Sequence, residues 1–204
     1  MLYASGNDTK KSNGVGFLIH KSLVNSVTGY QGFNDRLAYI TIQAKTKKIH
    51  FVQTYMPTSS HVDEEVQSIY DQIQQIYNNI PKRDSFFLTG DFNSKVGGLN
   101  TSHAAAVGKH TIGNSNHRGV MLADFCTLNN LIITNTLFQK KDNRLWTWLS
   151  PNKQHKNQID FIITRQDERH LVSDSSCISR VDISDHRLIR AKVKLKPKYI
   201  AKEK

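Results

Sequence analysis

Helical spacing occurs in only two stretches of this 204-residue chain, and that scarcity limits the folds open to it. Val66, Ile69, Tyr70, Ile73, Ile76, Tyr77 and Ile80 recur three and four apart between residues 62 and 80, the period of an amphipathic helix. Asp63, Glu64 and Glu65 stand near its start, where the helix dipole favours anions, and Pro81 ends it. "RGVMLADFCTLNN" (118–130) has similar spacing. The other apolar runs are "GVGFLIH" (14–20), "RLAYITIQA" (36–44), "KIHFVQTYM" (48–56), "DSFFLTG" (84–90), "LIITN" (131–135), "RLWTWLS" (144–150), "QIDFIITR" (158–165), "SSCISRV" (175–181) and "LIRAKVKL" (188–195). They are rich in β-branched and aromatic residues and separated by polar turns, which is strand composition. With strands outnumbering helices, few helices shield the sheets, so a mixed α/β sandwich is expected.

The length suits one domain, expected over residues 1–196, and 38% apolar content is ample for its core. Residues 197–204 read as a basic tail. No run approaches the roughly 18–20 apolar residues of a membrane helix, and "MLYASGNDTKK" has no signal-peptide segment. A soluble, unsecreted, intracellular monomer is expected, a placement that includes the nucleus. Cys126 and Cys177 lack the spacing of a zinc knuckle or a disulfide framework and read as core residues of a reducing compartment. The net charge of +11, from 28 basic and 17 acidic residues, favours a polyanionic partner. Much of that charge lies after His186, with a second cluster in "KTKK" (45–48); solvated edge-strand lysines are the plainer reading of both.

Polar groups fall at strand ends. Tyr55 ends one run, Asp91 and Asn93 follow another in "TGDFN", Asp160 interrupts "QIDFI", and Asp185 with His186 precedes the last. Groups at adjoining strand ends converge on one rim, where open α/β sheets place their sites. Taken alone, "DFN" is also an ordinary turn and "SDH" an ordinary helix cap. Asp160 is different, because a carboxylate inside an apolar strand costs several kcal/mol unless paired. His186 is the economical partner: an Asp accepting from one ring nitrogen fixes the tautomer and raises the basicity of the other. Asp91 then orients a water, Asn93 donates to a phosphoryl oxygen, and Asp185 helps hold a hard cation. Those parts make a phosphoesterase. Trp146 and Trp148 divide, one to the core and one towards substrate; Arg36 serves as a phosphate contact or as an edge charge. His103, His110 and His117 lie in a polar stretch without ligand spacing and are assigned no metal.

"TYMP", "GDFNSKVG", "WTWLSPNKQHKNQIDFIIT" and "ISDHRLI", in this order, resemble the endonuclease/exonuclease/phosphatase superfamily over almost the whole chain. "GNSNHRGVMLADFCTLNNLIITNTLF" with the "WTW" and "NQIDFI" segments is similar to the endonucleases of non-LTR retrotransposons and to craniofacial development protein 2-like proteins. The resemblance implies a four-layered αββα sandwich, deoxyribonuclease-like, that cleaves phosphodiesters of DNA with Mg²⁺ or Mn²⁺. It also implies roles. Asp91 aligns or activates the attacking water, Asn93 and His186 bind the scissile phosphate, Asp160 pairs with His186, Asp185 supports the metal, and Tyr55 assists near the leaving group.

Two departures follow from the same resemblance. Thr58 stands where the family's "Y-x-P-N" has Asn. The family's first strands, with an Asn or Asp and then a metal-binding Glu, have no counterpart, since "MLYASGNDTKKSNGVGFLIH" resembles the segment after that Glu and Asp8 is a poor substitute. Truncation at the amino terminus and activity lowered by orders of magnitude are therefore expected. The first reading is a metal-dependent, retrotransposon-type endonuclease nicking one strand. An inactive nucleic-acid- or protein-binding remnant of the same fold is the alternative, and a phosphomonoesterase ranks third.

Overall fold

The computed structural model describes residues 1–6, 14–178 and 184–194. Strands β1 (Leu2–Ser5) and β2 (Val15–Leu18) pair as an antiparallel ribbon. An antiparallel meander follows, made of β3 (Val27–Gly32), β4 (Leu37–Gln43) and β5 (Lys48–Tyr55). Helix α1 (Asp63–Asn78) then carries the chain to β6 (Ser85–Asp91), parallel to β5. After α2 (His117–Leu128) come β7 (Leu131–Ile133), the short pair β8 (Trp148–Leu149) and β9 (Lys156–Asn157), and β10 (Asp160–Arg165). A second ribbon, β11 (Val172–Cys177) with β12 (Ile189–Val193), ends the series. The main sheet has the order β3-β4-β5-β6-β10-β7.

Alternation along the strands sorts this sheet into two faces. Tyr39, Val52, Leu88, Ile163 and Ile133 occupy one rung and one face. There they meet Val66, Ile69, Tyr70 and Ile73 of α1 and Leu122, Phe125 and Cys126 of α2 in the main core. The acidic first turn of α1 is tied to the start of α2, because Asp63 pairs with both Arg118 and His117. On the opposite face Phe51, Phe87 and Ile162 pack with Val172, Ile189 and Ala191 of the second ribbon. The first ribbon covers the other end of that face, where the Tyr3 and Tyr30 rings lie 5.2 Å apart. This is the α/β sandwich expected from the strand count. Among the described residues its second layer is two separate ribbons, and a cleft runs between them over β6 and β10.

Several expectations need correcting. "RLWTWLS" forms a strand only at Trp148–Leu149; Leu145 turns into a helical conformation and Trp146 sinks into the interior, so no longer ladder forms. The strand placed at 175–181 starts earlier, at Val172, where β12 supplies its partner. Residues 179–181, Asp8 and the tail 197–204 lie outside the described residues. β1 and β3 were not expected, since the Gly29 and Gly32 content of β3 masks a strand that pairing with β4 enforces. Cys126 and Cys177 are buried and unbridged, and burial pushes both thiols up. No helix among the described residues is long and apolar enough to cross a membrane.

Candidate active site

The site starts from a single rung of the sheet. Tyr55 on β5 is registered with Asp91 on β6, and Asp91 with Asp160 on β10. All three side chains therefore stand on the cleft face, at the carboxyl end of β5 and β6 and the start of the antiparallel β10. Like charges directly opposite each other on adjacent strands repel. With the Asp91 and Asp160 side chains only 16% and 15% exposed, water relieves little of that repulsion. A fold does not retain such a rung for stability.

Backbone constraints hold the rung in place. Gly90 has φ of 149°, and a Cβ there would run into the Thr54 carbonyl. Gly90→Ala is expected to cost more than about 2 kcal/mol, seen as a lower denaturation midpoint; an unchanged midpoint would mean that β5 and β6 can separate there. Thr147, fully buried, accepts at its hydroxyl from the backbone N–H groups of Ile159 (3.0 Å) and Asp160 (3.1 Å). His186 is presented by a bridge to Trp148, with the Leu149 N–H donating to the Asp185 carbonyl and the Arg187 N–H to that of Thr147.

His186 Nδ1 lies 3.0 and 3.2 Å from the two Asp160 oxygens, while Nε2 faces Asp91 Oδ2 at 3.9 Å. The imidazole thus spans the two carboxylates. Its hydrogen bond to Asp160 outweighs burial and raises its pKa above the ordinary imidazole value. Burial first, and then the Asp160 charge, push Asp91 up to about 6. An Asp that titrates there is ionised at neutral pH yet basic enough to accept a proton.

The remaining predicted residues surround this core in different ways. Asn93 adopts φ of 47°, its N–H donates to Asp91 Oδ1 at 2.9 Å, and its Nδ2 donates to the Met56 carbonyl at 2.8 Å. The Asp91–Asn93 step is thus also the turn that its composition suggested. Trp146 is buried, and Trp148 stands half-exposed on the rim, its indole N–H donating to Asp185 Oδ2 at 3.1 Å. Asp185 is exposed, and hydrogen bonds from Ser184 and Trp148 overcome the upward pull of burial to lower its pKa. Arg36 does not line the cleft. Its guanidinium sits 5.0 Å from the Tyr55 ring centroid and donates to the Tyr55 carbonyl, so it backs Tyr55 from behind. Thr58 bonds within its own turn, to Ser60 at 2.8 Å and His61 at 3.0 Å.

Asp91, Asp160 and His186 offer ligand atoms within 4.8 Å of one another, a grouping that does not include Asp185. With His186 Nδ1 engaged by Asp160, the donor facing the cleft is Asp91 Oδ2. A buried carboxylate pair with too little positive charge nearby is chemistry that fits a hard divalent cation retaining most of its waters. The sequence reading missed Thr147, although a hydroxyl between two tryptophans in an apolar run signals a buried group needing partners. It also missed Lys95, Asn116 and Asn157, which line the cleft but carry no motif spacing.

Comparison with known proteins agrees with this geometry. The model of the endonuclease/exonuclease/phosphatase family matches residues 2–186. Craniofacial development protein 2 of Bos taurus is 37% identical over 202 residues, covering 98% of this chain and 34% of that protein. The chain spans about a third of the length of the curated relatives it matches. Among solved structures, the endonuclease domain of TRAS1, a telomere-specific non-LTR retrotransposon, superposes with a TM-score of 0.63 at 14% identity, over 96% of this chain and 78% of that one. The AP endonuclease of Leishmania major gives 0.72 at 11% identity, over 96% and 71%. At those identities the likeness shows a shared fold.

Proposed function

The chain belongs to the endonuclease/exonuclease/phosphatase family, and from that membership we propose that its cleft hydrolyses DNA phosphodiesters with Mg²⁺ or Mn²⁺, nicking one strand. The observation that carries the reading is the Asp160–His186–Asp91 arrangement on one rung: an oriented imidazole next to a carboxylate held near neutral pKa. Asp91 orients the attacking water and takes its proton on Oδ2. His186, held by Asp160 and biased towards its protonated form, donates from Nε2 to a non-bridging phosphoryl oxygen. The new P–O bond forms from the water oxygen as the bond to O3′ breaks, and O3′ takes a proton from solvent water, leaving a 3′ hydroxyl and a 5′ phosphate. Tyr55, backed by Arg36, stands near the departing oxygen, and Asn93 holds Asp91 through its N–H. A hard divalent cation would be held at the rim by Asp185, keeping most of its waters, and would supply charge neutralisation at the phosphate. The net charge of +11 and the likeness to a retrotransposon endonuclease favour DNA over a small phosphomonoester.

Purified protein is expected to convert supercoiled plasmid to the open circle with Mg²⁺ or Mn²⁺, and His186→Ala and Asp91→Ala to lose that conversion. A folded protein that leaves the plasmid supercoiled would refute the enzyme reading and favour a binding role for the same cleft. A phosphomonoesterase would instead release phosphate from small esters with weak salt dependence, whereas DNA binding falls steeply with salt.

A further inference from the structure

Tyr55, Asp91 and His186 line two cavities at once, a groove of about 930 Å³ between the ribbons and a smaller one of about 470 Å³. The reacting centre therefore sits on a divide, with room on each side for part of a polymer. The smaller cavity is within the size range of ligand pockets and its walls differ in character. One wall is the acidic rung with Asp185, whose carboxylate is taken up by Ser184 and Trp148. Lys95, Asn116 and Asn157 line the same cavity, Asn157 as the cross-strand partner of Trp148.

The side-chain donors of these three residues are unengaged among the described residues. Lys95 is half-buried, and among the described residues its ammonium has no hydrogen bond or ion pair. Its backbone is fixed: the Lys95 N–H donates to Asn116 Oδ1 at 2.9 Å, and its carbonyl accepts from the Asn116 N–H at 3.1 Å. The same Asn116 oxygen caps α2 by accepting from the Gly119 N–H at 2.9 Å, and a Cβ on Gly119 would strike the Lys95 carbonyl. Asn116 Nδ2 and the Asn157 side chain carry no partner among the described residues. An ammonium on a fixed backbone with no counter-charge, lining one cavity with two unengaged amide donors, is a donor set suited to a phosphate oxygen.

We propose that Lys95, with the Asn116 and Asn157 amides, binds the backbone phosphate next to the scissile one, and that Trp148 stacks on the intervening base. The inference rests on the DNA-nicking reading of the cleft and adds to it a strand path through the smaller cavity. Lys95 contacts neither the water nor the scissile phosphate; it sets the register of the strand across Asp91 and His186.

The test is affinity for a fluorescent DNA duplex in EDTA, where nothing is cut, measured by anisotropy between about 50 and 200 mM salt. Each phosphate neutralised on a duplex contributes about 0.9 to the slope of log affinity against log salt. Lys95→Met should lower that slope by about one such contact, so the parent's advantage shrinks about threefold to fourfold across this salt range. Lys95→Arg should restore the slope. Trp148→Ala should weaken binding at every salt with the slope kept. Duplex binding with an unchanged slope in Lys95→Met would overturn the Lys95 assignment alone. Absence of duplex binding by the folded parent would overturn both it and the reading it rests on.

Discussion

Truncating His186 to Ala is expected to reduce plasmid nicking by about 10²- to 10⁴-fold, the usual contribution of a positioned proton-transfer or charge-stabilising group. The imidazole is 32% exposed and its partner Asp160 is 15% exposed, so removing it leaves the carboxylate rung uncompensated as well as the phosphate unbound. Asp160→Asn should cost a comparable factor, because a neutral amide cannot hold the ring cationic although it can still accept from Nδ1. The two changes act on one unit, and the double variant should lose little more than His186→Ala alone. The pH profile separates this relay from a merely structural pair. Cleavage requires Asp91 ionised and His186 protonated, so kcat/KM should rise through about pH 6 and fall at a pH above the ordinary imidazole value. In Asp160→Asn the alkaline limb should move to lower pH. An alkaline limb that stays in place would mean that the Asp160 hydrogen bond does not set the His186 charge state.

Asp91→Asn should abolish nicking and yet stabilise the metal-free protein. The folded-state pKa of Asp91, about 6, lies above the ordinary carboxylate value of 3.8, so ionisation is disfavoured by folding. The strain is absent at acidic pH, grows as pH rises from about 4 to about 6, and is fully present at neutrality. At about 1.4 kcal/mol for each pH unit between the two values, the upper bound is about 3 kcal/mol. The folded-state value already includes the opposing pull of the His186 charge, so no further discount applies for it. Asparagine keeps the Oδ1 acceptor for the Asn93 N–H. Denaturant titration should show a higher midpoint for Asp91→Asn at pH 7 and parity with the parent near pH 4. A variant less stable than the parent at pH 7 would show that the carboxylate is a net structural asset and that the rung carries no stored electrostatic strain.

Much of the site was readable because its chemistry disagreed with its surroundings. Asp160 inside "QIDFI" demanded a partner, and His186, distant in sequence, is the partner that folding brings to it. The turn-forming tendency of "DFN" and the placement of Asp91 were likewise compatible, since the turn closes on the Asp91 carboxylate itself. Lys95 and Asn116 left no trace. A lysine in a polar loop is common, and only the docking of that loop on the α2 N-terminus removes its neighbours and turns it into the cleft. Arg36 shows the opposite case: a cation 19 residues from Tyr55 in sequence that the sheet places behind that residue and not in the cleft.

Local periodicity determined the two helices, most of the strands and the sandwich class, because side-chain burial repeats every 3.6 or 2 residues and is written in adjacent positions. Family motifs determined which polar groups to watch. Register decided the rest. Whether Tyr55, Asp91 and Asp160 share a rung depends on hydrogen-bond pairing between β5, β6 and β10, and a slip by one residue would turn each of them to the helical face. That pairing is fixed by the packing of Phe51, Phe87 and Ile162 on one side and Val52, Leu88 and Ile163 on the other. It is a property of all the strands together, which no single segment of the chain encodes.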